Sequence, residues 1–257
     1  MNNIIGHKLY GKGLQKVVVL HDWFGDTTTN YDPMLEFLDR DTFTFAFVDL
    51  RGYGRSRNIS GECTLEEGVS DILALVDFLK WSSFDIISHS MSALIAQYLT
   101  IQASSRLKRI VAITPVPACG TPAPDAVISF LEDAALRNEI SARQIIQFMT
   151  GYQQGSEFVD KKVTQWYETS NPEARSAYLK MFSQIDFSEQ ANGGLTPFLV
   201  IVGANDAEGY REPVMQQTFI KWYPNAELIT LQGCGHYPMQ EQPLQLAVAI
   251  QSYLKQA

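Results

Sequence analysis

The chain has 257 residues, of which 46% are hydrophobic and 19% charged, a length and composition suited to one large α/β domain with a full core. Its formal net charge of −8, with Lys and Arg scattered and no basic run, repels phosphate backbones and anionic lipid and excludes nucleic acid as a partner. No stretch approaches the roughly 18–20 apolar residues that cross a bilayer, and the N-terminal MNNIIGHKLYGKG lacks a hydrophobic leader, so neither a membrane span nor export is expected.

In chain order, His7 lies in an expected edge strand, and a Val-rich strand over 17–20 runs into His21-Asp22-Trp23-Phe24-Gly25. A second strand, 43–48, leads to Asp49-Leu50-Arg51-Gly52-Tyr53-Gly54-Arg55-Ser56. Thr64-Leu65-Glu66-Glu67 has the form of a capping box. After it, Leu65, Val69, Ile72, Leu73, Val76 and Leu79 share one helical face. A strand over 84–88 enters a serine-rich turn and a helix over 93–103, and a strand follows at 110–114. From about 122 to 190 the pattern is helical only, with helices predicted at 126–136, 142–149, 158–167 and 173–182 between Pro-rich (TPVPACGTPAP) and Gly-rich (ANGGLTP) flanks. Strands at 198–202 and 228–231 and a helix at 244–254 complete the chain. Most strands are continuous apolar runs, as in a parallel sheet buried on both faces. Alternation with helices predicts an α/β fold, a mostly parallel central sheet flanked by helices, with an inserted helical segment.

The turn Ser88-His89-Ser90-Met91-Ser92 carries the strongest chemical signal. A strand that turns sharply through small residues into a helix is the nucleophile elbow, usually written G-x-S-x-G, and it lifts the central hydroxyl off the sheet edge. Here serines stand where glycines are usual. Read alone, the segment also fits a plain helix N-cap. The turn at Trp23 can aim one backbone N–H, and Met91, next to Ser90, a second, at an oxyanion. Trp23 is the expected first donor, with Phe24 second. Asp22 replaces the glycine usual there; a carboxylate beside an oxyanion opposes the chemistry, so it is expected to point away or to be tied up by hydrogen bonds. Asp206 follows the 198–202 strand at the carboxyl edge of the sheet, where α/β sites form, and could orient an imidazole; alone, it is also a common turn residue. His236, in the Gly-flanked loop Gly233-Cys234-Gly235-His236-Tyr237-Pro238, suits a mobile general base, and alone also reads as a surface loop histidine. His21 and His89 are expected to support turn geometry. Cys63, Cys119 and Cys234 lie far apart without CxxC spacing and read as free thiols of a reducing cytosol, so a cytoplasmic location is expected. No set of closely spaced Cys or His suggests zinc.

The order Ser90, Asp206, His236, each after its own strand, is the nucleophile–acid–base order of one superfamily. With these residues the chain resembles the α/β-hydrolase superfamily over essentially its whole length. It is most similar to small cytoplasmic Ser-nucleophile esterases and haloperoxidase-like enzymes of bacteria, through the D-x-R-G-x-G-x-S stretch at 49–56 and the histidine loop. The resemblance implies a core of residues 1–120 and 191–257 with a helical cap at 121–190. In relatives the 49–56 stretch shapes a loop, so Arg51 and Arg55 are expected to be structural rather than substrate-anion contacts.

The expected activity is therefore a serine hydrolase working through an acyl-enzyme on a carboxylic ester or related small acyl substrate, needing neither cofactor nor metal. The same framework could instead cleave C–C bonds, lactones or thioesters, or support cofactor-free dioxygenation. A non-catalytic small-ligand binding protein is the remaining class. Phe24, Tyr152 and Trp166 are the expected contacts to an apolar or aromatic substrate, although Tyr152 or Trp166 taken singly reads more readily as core of the helical segment, and the chain is expected to be a monomer or homodimer.

Overall fold

The computed structural model describes residues 4–256. The first three residues of the segment expected to carry no leader, and residue 257 at the end of the expected second core segment, lie outside the described residues. The strands are β1 (His7–Gly11), β2 (Gln15–Leu20), β3 (Phe43–Val48), β4 (Phe84–His89), β5 (Leu107–Ile113), β6 (Phe198–Gly203) and β7 (Ala226–Leu231). They form one sheet in the order β1-β3-β2-β4-β5-β6-β7, in which β1 runs antiparallel to β3 and every other pairing is parallel. His7 thus lies in an edge strand.

Apolar, β-branched and aromatic runs explain the central strands: β3, β4 and β6 are buried at every position. β2, β5 and β7 begin two or three residues before their apolar runs. Gln15 and Glu227 pair there because the ladder needs backbone groups, not apolar side chains.

The α-helices are α1 (Thr27–Tyr31), α2 (Leu65–Phe78), α3 (Ser92–Gln102), α4 (Asp125–Ala135), α5 (Glu139–Met149), α6 (Ser156–Thr169), α7 (Pro172–Gln184), α8 (Ser188–Ala191), α9 (Glu212–Gln217), α10 (Phe219–Trp222), α11 (Pro238–Glu241) and α12 (Pro243–Leu254). The long ones match the periodic stripes. The shortest have too few turns to show a stripe. At α2 only half of the expected capping box forms: Thr64 caps the Glu67 N–H at 3.2 Å, but Glu67 accepts from the Cys63 N–H and pairs with Arg51 instead of returning to Thr64. α3 has few polar positions and is buried over most of its length.

α4 to α8 all fall between β5 and β6, and no strand interrupts them. β2 and β4 are neighbours in the sheet, yet the chain builds β3 on the far side of β2 before returning to β4. The carboxyl ends of β2 and β4 therefore flank the point where the order reverses, the place where open α/β sheets form their clefts.

Candidate active site

Five loops at the carboxyl edge of the sheet converge on one cavity of about 630 Å³. The loop after β4 carries Ser90, whose φ of 53° lies in the left-handed region. For a residue with a Cβ this costs about 1 kcal/mol or more and persists only where the surroundings enforce it. They do: the Ser90 N–H donates to the Ile113 carbonyl at 3.0 Å, and its own carbonyl accepts from the Val116 N–H at 3.1 Å. The flanking serines take up their own polarity. Ser92 Oγ bridges the His89 N–H and carbonyl, both at 3.0 Å, and Ser88 Oγ donates to the Val111 carbonyl at 3.4 Å. Serine can thus stand where glycine is usual because each hydroxyl finds a backbone partner.

His236 Nε2 lies 2.9 Å from Ser90 Oγ and its Nδ1 lies 2.8 Å from Asp206 Oδ2. The three residues expected to meet do meet, and all are buried. With Nδ1–H donating to the carboxylate, Nε2 is left to accept the Ser90 proton. Asp206 Oδ1 accepts from the Ala207 N–H at 2.7 Å. Burial pushes the Asp206 carboxyl above the usual carboxylate range, against the pull of His236 and Ala207. The His236 loop is seated by glycines: a Cβ on Gly235 would lie 2.6 Å from the Met149 carbonyl oxygen, and one on Gly203 would lie 2.6 Å from the Cys234 carbonyl oxygen. The His236 N–H donates to the Met149 carbonyl at 3.1 Å, which ties the loop to α5.

Among the described residues, no partner accepts from the backbone N–H of Trp23 or of Met91. Both residues line the cavity beside Ser90. The Trp23 turn is fixed from behind, where the Tyr53 hydroxyl donates to its carbonyl at 3.0 Å and its Nε1 donates to the Arg175 carbonyl at 2.9 Å. Two unengaged N–H groups near one hydroxyl are what an oxyanion requires.

Asp22 is tied up by a hydrogen bond, one of the two outcomes expected for it: Asn30 Nδ2 donates to its Oδ1 at 2.6 Å, and the residue is among those lining the cavity. Lys162, a fully buried cation from α6, donates to Asn30 Oδ1 at 2.6 Å and lies over the Tyr237 ring at 4.1 Å. Burial lowers the Lys162 pKa to about 8, although Asp22, Asp26 and Glu241 favour its charge.

Of the expected substrate contacts, Phe24 and the exposed Tyr152 are on the cavity wall. Trp166 is not, which corrects the expectation. It is fully buried behind the wall, its ring 3.9 Å from Phe24 and 4.9 Å from Trp23, because helical spacing turns it to the inner face of α6. Arg51 and Arg55 are consumed by carboxylates. Arg51 grips Asp71 through two bonds of 2.7 and 2.8 Å, and Arg55 holds the buried Asp49 at 2.9 Å. His21 supports its turn, donating to the Asp22 carbonyl and accepting from the Leu50 N–H.

Sequence reasoning missed three residues. The Tyr210 ring packs edge-on against His236 at 4.6 Å. Both carboxylate oxygens of Glu241 hold the histidine loop, through the Gly235 and Tyr237 N–H groups at 3.0 and 2.9 Å. Lys162 is the third, and it had a signal: a charge on the apolar stripe that contains Val159, Val163 and Trp166. Among the described residues, no group of three or more His, Cys, Asp or Glu could hold a metal, and no helix is long and apolar enough to cross a membrane.

The sequence matches a family model described as the alpha/beta hydrolase family over residues 17–249. A putative esterase/lipase of Haemophilus influenzae is 23% identical over 249 residues, covering 93% of this chain and 82% of that protein. A serine hydrolase-like protein of Dictyostelium discoideum is 27% identical over 101 residues, and that match spans only 28% of its length. A hydrolase from Oleispira antarctica has the same fold, with a TM-score of 0.85 at 21% identity over 99% of this chain and 96% of that one.

Proposed function

The chain belongs to the alpha/beta hydrolase family, and from that premise we propose that it is a carboxylic ester hydrolase acting by acyl transfer from Ser90. The observation that carries this reading is the hydrogen-bonded line Asp206–His236–Ser90, ending at a strained serine on the floor of the cavity.

Ser90 Oγ attacks the ester carbonyl as its proton passes to His236 Nε2. Negative charge gathers on the carbonyl oxygen, where the N–H groups of Trp23 and Met91 receive it. Asp206 keeps the imidazole in the right tautomer and stabilises its cation. The C–O bond to the leaving alcohol breaks as His236 returns the proton to that oxygen, leaving an acyl-enzyme. Water, deprotonated by His236, then attacks the acyl carbon; the bond to Ser90 breaks, the proton returns to Ser90 and the acid departs. Residues 121–190 act as a cap: Leu131, Ile145, Phe148 and Phe182 line the same cavity as Ser90 and His236. These apolar walls suit an apolar or aromatic acyl group.

The test is hydrolysis of short p-nitrophenyl esters together with labelling by a fluorophosphonate. The wild type should turn over and carry the label on Ser90; Ser90→Ala should lose both, with a fall in kcat of about 10³-fold or more. A labelled Ser90→Ala protein, or one that keeps wild-type turnover, overturns the reading.

A further inference from the structure

We propose that Asp22 is a specificity residue that selects acyl groups carrying an O–H or N–H donor near the scissile carbonyl. This rests on the acyl-transfer reading above and adds the class of substrate.

Asp22 occupies the turn after β2, one residue before Trp23, with a relative exposure of 1%. Its Oδ1 is taken by Asn30. Among the described residues no hydrogen bond reaches Oδ2, and Asp22 is one of the residues that line the cavity. His89 Nδ1 approaches Oδ1 only to 3.9 Å, too far for a hydrogen bond. Burial opposes ionisation of this carboxyl, but Lys162, His89 and Asn30 together hold its pKa below the usual carboxylate range. A negative charge thus stands at the cavity lining with one oxygen that no protein donor satisfies.

Such a group is costly in a largely apolar enclosure. It also stands beside the point where Ser90 chemistry generates a second negative charge, which it repels. Its structural partners, Asn30 directly and the Lys162 charge through Asn30, account for the carboxylate at Oδ1 and leave Oδ2 without a hydrogen bond. A donor on the bound acyl group removes both penalties by bonding to Oδ2, and an ammonium does so more strongly than a hydroxyl because the bond is charge-assisted. A carboxylate-bearing acyl group would meet like charge and be rejected.

The experiment compares kcat/KM for p-nitrophenyl butyrate, 3-hydroxybutyrate and 3-aminobutyrate, corrected for spontaneous hydrolysis. The wild type should favour the donor-bearing esters by about tenfold to a hundredfold, the amino ester most. In Asp22→Asn the ratio of amino ester to butyrate should fall toward unity. Flat ratios in the wild type, or ratios unchanged in Asp22→Asn, overturn the proposal. Calorimetric Kd values of 3-aminobutyramide and butyramide with Ser90→Ala protein give the same comparison without turnover. Donor-selective binding by a protein that hydrolyses no ester would sink the acyl-transfer reading and leave the role of Asp22 standing. Ester hydrolysis with equal affinity for both amides would do the reverse. Should Asp22→Asn fail to fold, the wild-type ratios and the paired Kd values still decide.

Discussion

The ring of His89 donates from Nε2 to the backbone carbonyl of His236 at 2.8 Å, so the residue before Ser90 holds the loop that carries His236. The Thr114 hydroxyl adds a longer bond to the same carbonyl, at 3.3 Å. His89→Ala leaves that buried carbonyl short of its main donor, a loss of about 1–3 kcal/mol, and should lower kcat on p-nitrophenyl esters by about tenfold or more. His89→Gln can place an amide N–H at the same carbonyl and should recover much of the rate. Equal losses in the two variants would show that the bond does not position His236.

The same histidine gives stability a direction with pH. Burial drives its pKa from 6.5 down to about 3, opposed by Asp22, so the folded chain refuses a proton that the unfolded chain accepts between those values. The stability it contributes is complete above pH 6.5 and is lost as pH falls toward about 3. Urea midpoints should therefore fall with acidification more steeply in the wild type than in His89→Gln, by at most about 1.4 kcal/mol per pH unit. The raised carboxyls of Asp206 and Glu241 act in the opposite sense, but they do so in both proteins and cancel in the difference. Parallel pH profiles would mean that His89 is not kept neutral.

Lys162 and Asp22 share Asn30, one charge at each end of an amide. Removing the cation alone strands the carboxylate, and breaking a buried charge arrangement costs about 3–5 kcal/mol. Lys162→Met should lower the stability of the protein by an amount in that range. Once Asp22→Asn has removed the anion, the same substitution should cost less, by at least about 1 kcal/mol. Urea unfolding of the four proteins of this cycle measures the coupling. Strict additivity would show that the two charges do not act through Asn30.

Much of this was legible in the sequence because a parallel sheet advertises itself. The runs that became β3 and β6 are apolar at nearly every position and β4 carries an apolar centre, since both faces are covered, and each candidate residue lies in the loop after a strand, so finding the strand places the residue at the edge of the cleft. What stayed hidden depends on contacts between distant segments. The sequence placed Trp166 in a helix of the inserted segment but could not show that Phe24 and Trp23, which line the cavity, pack against its ring. Glu241 lies five residues past His236, and only the fold of α11 turns its carboxylate back onto the loop. Glu67 fits a capping box locally, yet Arg51 and the Cys63 N–H, brought in by the fold, outcompete the expected partner.

Glu241 supplies the last prediction. Its two oxygens accept from the N–H groups on either side of His236, and Gln154 donates to one of them at 3.0 Å, so a single carboxylate fixes the His236 loop and links it to the helical insertion. Glu241→Ala removes both acceptors and should let His236 leave the line to Ser90, lowering kcat by about tenfold to a hundredfold while KM changes little. Glu241→Gln keeps one carbonyl oxygen but offers N–H where the second acceptor stood, so it should fall between the wild type and Glu241→Ala. The rate of fluorophosphonate labelling should decline in the same order, since the label needs the activated hydroxyl but not the substrate pocket. A KM that rises while labelling holds its rate would instead place Glu241 on the substrate side of the cavity.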